Sequence, residues 1–197
     1  MQLLVAGPSP FVRKVRVVLR ETGQAEDVQE VSVTANPTGT APELASANPL
    51  GKIPALLRED GPAIYDSRVI CRYLDARAGA GLYPEARLWE TLTLEATADG
   101  IMEAAVMMVY QARFGTAPQP WIDAQWDKVA RAIEAIEQRW MSHLEGPLDA
   151  AQIAVGCALG YLDFRHPDRA WRPSALALAE WESRFAERGP MAETRPE

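Results

Sequence analysis

A chain of 197 residues with 48% hydrophobic and 24% charged content has the make-up of an ordinary folded protein, long enough for a substantial core in one domain or two small ones. A formal net charge of −7 argues against nucleic-acid and anionic-membrane partners, and no apolar run approaches the roughly 18 residues of a membrane span. The opening Met-Gln-Leu-Leu-Val-Ala-Gly lacks the basic and long apolar regions of a secretory signal, which predicts a cytoplasmic location. Cys71 and Cys157 have no CxxC partner and both fall on apolar helical patterns, so they read as small core side chains. His143 and His166 are equally isolated, and no metal is expected.

The charge is uneven along the chain. Residues 1–77 hold nine basic and nine acidic side chains, whereas residues 78–197 hold eleven against eighteen and carry the whole imbalance. Two units are therefore expected, 1–78 and 84–197.

In the first, Leu3-Leu4-Val5-Ala6 suits a strand buried on both faces. After Gly7-Pro8, Ser9 reads as an N-cap and Pro10 as the first helical residue, where a missing N–H costs nothing. Phe11, Val12, Val15, Val18 and Leu19 then recur at helical spacing. Residues 28–33, Val-Gln-Glu-Val-Ser-Val, predict a second strand parallel to the first, since a helix lies between them. Residues 34–47 read as a polar connection with one helical turn near 43–46. Asp60-Gly61, between apolar runs at 53–57 and 63–65, is a hairpin signal, and Asp66 caps a helix carrying Val69, Ile70, Tyr73 and Leu74.

The second unit reads as helix throughout. Residues 85–114 carry Leu88, Leu92, Leu94, Ile101, Met102, Val106, Val109 and Tyr110 on an apolar side. Residues 121–144 are amphipathic through Trp126, Val129, Ile133, Ile136 and Trp140. Asp149-Ala-Ala-Gln152 is a variant capping box opening a strongly apolar helix to about residue 164, and a last helix spans about 174–188. All six tryptophans lie in this half and are expected in the core.

Residues 48–54, Asn-Pro-Leu-Gly-Lys-Ile-Pro, organise the first unit. Two prolines and a glycine exclude a helix, and Pro54 heads a strand, where a missing donor is tolerated. A cis Ile53–Pro54 bond would leave the N–H and C=O of Ile53 open to pair with an extended peptide; a trans proline in an ordinary loop is the alternative.

With a Ser-Pro helix start, a Lys-Ile-Pro before a hairpin and an Asp-Ser opening the next helix, the chain resembles the glutathione S-transferases over nearly its whole length. It is most similar to a bacterial subgroup with Ser-Pro-Phe-Val-Arg-Lys, here residues 9–14, and Ala-Asp-Gly-Ile-Met, here residues 98–102. The resemblance implies an α/β thioredoxin-like N-terminal domain in the order β-α-β-α-β-β-α, followed by an all-α C-terminal helical bundle, and it favours a cis Pro54. It also implies a homodimer, with Arg68, Arg72, Glu95 and Asp99 available for pairs across the axis.

Glutathione, as co-substrate, is then expected at Phe11, Lys52, Ile53, Pro54, Asp66 and Ser67. Ile53 would pair with its backbone, and the helix start at Asp66-Ser67 would take the α-carboxylate and α-ammonium of the γ-glutamyl end. The family more often has Glu or Gln where this chain has Asp66. Ser9 is the catalytic candidate, a hydroxyl donor at a helix N-terminus that would stabilise the thiolate; its alternative is a plain N-cap. The resemblance places a small hydrophobic electrophile between the domains, near the first long helix, with Met102, Val106, Tyr110, Arg113 and Phe114 as candidates. Conjugation is the leading activity; glutathione-dependent dehalogenation or isomerisation at the same site, and non-catalytic ligand binding, are the alternatives.

Overall fold

The computed structural model describes residues 1–115 and 117–196. The chain divides into two compact units, Met1–Tyr83 with the tail from Glu193, and Pro84–Ala192. In the first, β1 (Gln2–Val5) leads into α1 (Pro10–Glu21), β2 (Gln29–Ser32), the short β3 (Ala35–Asn36) and β4 (Gly39–Thr40), and α2 (Pro42–Ala47). The hairpin β5 (Ala55–Arg58) and β6 (Gly61–Ile64) and then α3 (Ser67–Ala78) complete it.

The four-stranded sheet has the order β2-β1-β5-β6. β1 pairs parallel with β2, as the intervening helix requires, and antiparallel with β5. Alternation along the strands splits the core: Leu4, Ala55 and Leu57 pack with Leu44 of α2 and with Val33. Leu3 and Leu56, wholly buried, point to the opposite face, where α1 and α3 pack together. The connection at 34–47 is more ordered than its polar composition suggests. Ala35 and Asn36 pair with Thr40 and Gly39 in a small separate hairpin. Asn36 Oδ1 closes it by accepting from the amide of Thr38 at 3.0 Å.

The second unit is helical: α4 (Leu88–Phe114), α5 (Gln119–Arg139), α6 (Met141–Leu144), α7 (Ala150–Arg165), α8 (Leu176–Phe185) and α9 (Gly189–Glu193). α4 packs along both α5 and α7. Twelve of the sixteen residues of α7 are buried, making it the central helix. Its start is the expected capping box: Asp149 accepts from the amides of Ala151 and Gln152, and the Gln152 side chain accepts from the Asp149 amide at 2.8 Å. Asp149, fully buried, also accepts from the Thr91 hydroxyl of α4 at 3.0 Å and lies 2.7 Å from His143 Nε2. One carboxylate thus ties α4, α6 and α7 together.

Cys71 and Cys157 are both buried. The tryptophans depart from expectation: Trp171 and Trp181 are buried, but Trp89 is 76% exposed. Glu95 and Asp99, expected on an outer face, are also buried. Spacing fixes which residues share a stripe of α4 but not which stripe turns inward, and the inward one runs through Leu94, Ala98, Ile101, Ala105 and Met108. Among the described residues no helix is long and apolar enough to cross a membrane.

Candidate functional site

Three features of the first unit lie at strand heads and helix starts. The loop before β5 is built by Asn48, itself 2% exposed. Its carbonyl accepts from Gly51 at 2.8 Å, its Oδ1 from the Leu50 amide at 3.0 Å, and its Nδ2 donates to the Lys52 carbonyl at 2.7 Å. Gly51 takes φ +63°, a conformation natural to glycine. This turn delivers a cis Ile53–Pro54 bond to the head of β5. The N–H and C=O of Ile53 have no hydrogen-bond partner among the described residues. Lys52 is exposed and Pro54 buried.

The second feature is the start of α1. Ser9 is its N-cap, accepting from the Val12 amide at 3.4 Å, with Pro10 in the first turn. That bond is long against the usual 2.9–3.0 Å, so the cap is weak. The hydroxyl hydrogen donates to nothing among the described residues. Phe11, next along, is half-buried, and Lys14, one turn further, is 1% exposed.

The third feature is the start of α3, reached through a second cis bond, Tyr65–Asp66. Asp66 caps the helix through Oδ1, which accepts from the Arg68 amide at 3.0 Å, and its Oδ2 pairs with the Arg68 guanidinium at 2.9 Å. Burial pushes the Asp66 carboxyl up, but the Arg68 hydrogen bonds and charge, helped by the Lys14 charge, hold it below the usual carboxylate range. Ser67 is 2% exposed, and its hydroxyl makes no hydrogen bond among the described residues. The helix start therefore offers first-turn amides, a hydroxyl and an ionised carboxylate.

In the second unit, Val106, Tyr110, Arg113 and Phe114 form an accessible stripe on the last turns of α4, with the Tyr110 and Phe114 rings tilted 6.4 Å apart. Met102 does not belong to it. It is fully buried, so it presents no surface to a ligand. Spacing did not point to Asn48 or Lys14. An Asn before a Pro-Leu-Gly turn was the available signal for the first; nothing in the sequence marks a charged lysine as buried. Among the described residues no group of three His, Cys, Asp or Glu side chains converges as a metal site would require.

An N-terminal mixed sheet with a cis proline at a strand head, joined to a helical unit, defines a thioredoxin-like protein with an added helical domain. The glutathione S-transferase N-terminal domain model matches residues 8–77 and the C-terminal domain model residues 119–184. A glutathione transferase family member from Pseudomonas fluorescens Pf-5, solved with bound glutathione, is 42% identical. The match covers 100% of this chain and 98% of that one at a TM-score of 0.96. Another structure of such a family member from the same strain holds S-(propanoic acid)-glutathione, with 42% identity, full coverage of both chains and a TM-score of 0.91. The uncharacterized GST-like protein YibF of Escherichia coli K12 is 33% identical over 192 residues, covering 91% of this chain and 92% of that protein. The chain belongs to the glutathione S-transferase family.

Proposed function

We propose that the protein is a glutathione transferase that adds the glutathione thiolate to a small electrophile with an apolar body. The observation that carries this reading is the open backbone of Ile53 beside cis Pro54, in the same unit as the acidic start of α3. Glutathione is an extended peptide, so its central cysteine pairs with Ile53 as a neighbouring strand would. The α-carboxylate of its γ-glutamyl end meets the first-turn amides and Ser67 hydroxyl, and the α-ammonium meets Asp66, which is ionised at neutral pH. Lys52, exposed next to Ile53, attracts the glycine carboxylate in this reading. The family members from Pseudomonas fluorescens Pf-5, with bound glutathione and bound S-(propanoic acid)-glutathione, support the same ligand here.

Ser9 then acts on the thiol. An ordinary cysteine thiol has a pKa near 8.5 and is mostly protonated at neutral pH, while only the thiolate attacks well. The Ser9 oxygen accepts from Val12 with one lone pair, which leaves its O–H to donate to the sulfur, and the positive end of α1 adds to the stabilisation. The thiol proton passes to water; sulfur bonds to the electrophilic carbon, whose leaving group departs with its electron pair. The test is formation of the thioether from glutathione and a model aryl halide, measured with and without protein by mass spectrometry. Protein-dependent thioether growing with protein concentration is expected; a rate equal to the spontaneous one overturns the catalytic reading.

A further inference from the structure

Among the small turn-forming residues, asparagine alone carries an acceptor and a donor on separate atoms of one rigid amide. Asn48 uses both. Its Oδ1 accepts from the Leu50 amide at 3.0 Å, which shapes the turn, while Nδ2 reaches across and donates to the Lys52 carbonyl at 2.7 Å. Its own N–H donates to the Leu44 carbonyl at 2.8 Å, at the end of α2. Leu44 is wholly buried in the core cluster with Leu4 and Ala55. Asn48 is thus anchored to the core at 2% exposure, where water does not compete for its amide.

The bond to Lys52 has a consequence on the other side of the chain. The Lys52 C=O and the Ile53 N–H belong to one trans peptide group, so they share a plane and point in opposite directions. Holding the carbonyl edge on Asn48 therefore sets the direction of the N–H edge. That N–H faces away from Asn48 and has no hydrogen-bond partner among the described residues. Two further contacts steady the plane. The Ile53 side chain packs against the Leu44 cluster. Thr40 of the β3–β4 hairpin closes on the turn at Gly51, where a methyl would come 2.8 Å from the Thr40 hydroxyl oxygen. A donor aimed before the ligand arrives spares the cost of ordering it on binding.

We propose that Asn48 is a positioning residue for glutathione: by gripping the carbonyl edge of the Lys52–Ile53 peptide, it aims the Ile53 N–H at the cysteinyl carbonyl of the ligand. This rests on the glutathione transferase reading. A simpler role is that Asn48 only shapes the turn through Leu50 and Gly51. The two roles separate because serine keeps an acceptor for the Leu50 amide, while its shorter hydroxyl falls short of the Lys52 carbonyl. Aspartate keeps the shape and the acceptor and equally lacks the donor.

The experiment titrates glutathione into the full chain, Asn48→Ser and Asn48→Asp, each first shown to be folded by its melting curve. Affinity is read by calorimetry and the Ile53 amide proton by NMR of 15N-labelled protein. In wild type, saturation should move that proton downfield, as a newly formed hydrogen bond does. Both variants should bind glutathione about three- to tenfold more weakly, and their saturated complexes should show a smaller Ile53 shift. The same weakening should appear when all three proteins also carry Lys52→Ala, because the grip acts on the N–H and not on the lysine charge. Unchanged affinity in the variants overturns the proposal. So does a full wild-type Ile53 shift in their saturated complexes, the outcome expected if Asn48 only shapes the turn. A weakening that disappears with Lys52→Ala assigns the effect to Lys52 and overturns it too. Glutathione that binds wild type without moving the Ile53 amide overturns the positioning role while leaving glutathione binding intact. Failure of glutathione to bind wild type overturns the transferase reading, and the positioning role with it.

Discussion

Replacing Ser9 with alanine removes two things at once, and the structure separates their sizes. As a cap, Ser9 holds the Val12 amide at 3.4 Å, a long bond that puts its loss near the low end of the usual range, about 0.5 kcal/mol. For a domain of this size that lowers Tm by about 1–2 °C. As a donor to a thiolate, the same hydroxyl is worth about 1.5–3 kcal/mol, which raises the bound thiol's pKa by roughly 1–2 units. Activity rises with pH through that pKa. The rising limb in Ser9→Ala should therefore move alkaline by the same amount, with neutral-pH turnover down about tenfold or more and the two proteins converging at high pH. Ser9→Asp is the control, since it restores a strong cap but sets a negative charge beside the sulfur. It should recover Tm and leave activity as low as in Ser9→Ala or lower. The assay is the pH profile of turnover with a model aryl halide, taken with melting curves for all three proteins. Full activity in Ser9→Ala with an unshifted profile, or recovery of both Tm and activity in Ser9→Asp, refutes the role of Ser9 at the thiolate.

Asp149→Ala removes the cap of α7 and strands the Thr91 hydroxyl and His143 in a buried place; a loss of about 2–4 kcal/mol should appear as a lower Tm, and an unchanged Tm would contradict the tie. Gly156 and Gly100 form a matched pair inside helices. A methyl at Gly156 would come 2.8 Å from the Phe185 ring and 2.9 Å from the Met191 methyl, whereas one at Gly100 meets nothing within 4 Å. Gly100→Ala should stabilise by up to about 1 kcal/mol and Gly156→Ala should destabilise, as read by thermal melting. Finally, α3 leaves Val69 48% exposed and Arg72 on the surface, which fits the expected two-fold dimer; light scattering should give twice 21.7 kDa, and a monomer at micromolar concentration would refute it.

Much of this was legible because local signals agreed with one another. Pro10 after Ser9 and Asp149 three residues before Gln152 each force one local geometry, and the structure has both; the expected hairpin also forms, but it turns one residue earlier, at Glu59–Asp60, and Gly61 opens β6 opposite Arg58. What escaped was set by packing. Alternation cannot say that residues 35–40 close a hairpin of their own, because two-residue strands carry no periodicity. Apolar content all round α4 hid its rotation, so Met102 was assigned to a ligand surface and Glu95 to an outer face, while both are buried.

The most direct measurement is a calorimetric titration of glutathione into wild type, Asp66→Ala and Ser67→Ala, each first shown to be folded by its melting curve. Wild type should bind saturably at or below millimolar glutathione. Asp66→Ala, lacking the carboxylate proposed to meet the ammonium, should bind about tenfold or more weakly, and Ser67→Ala should also lose affinity. No binding at millimolar glutathione, or three indistinguishable curves, would contradict the assignment of glutathione to the start of α3.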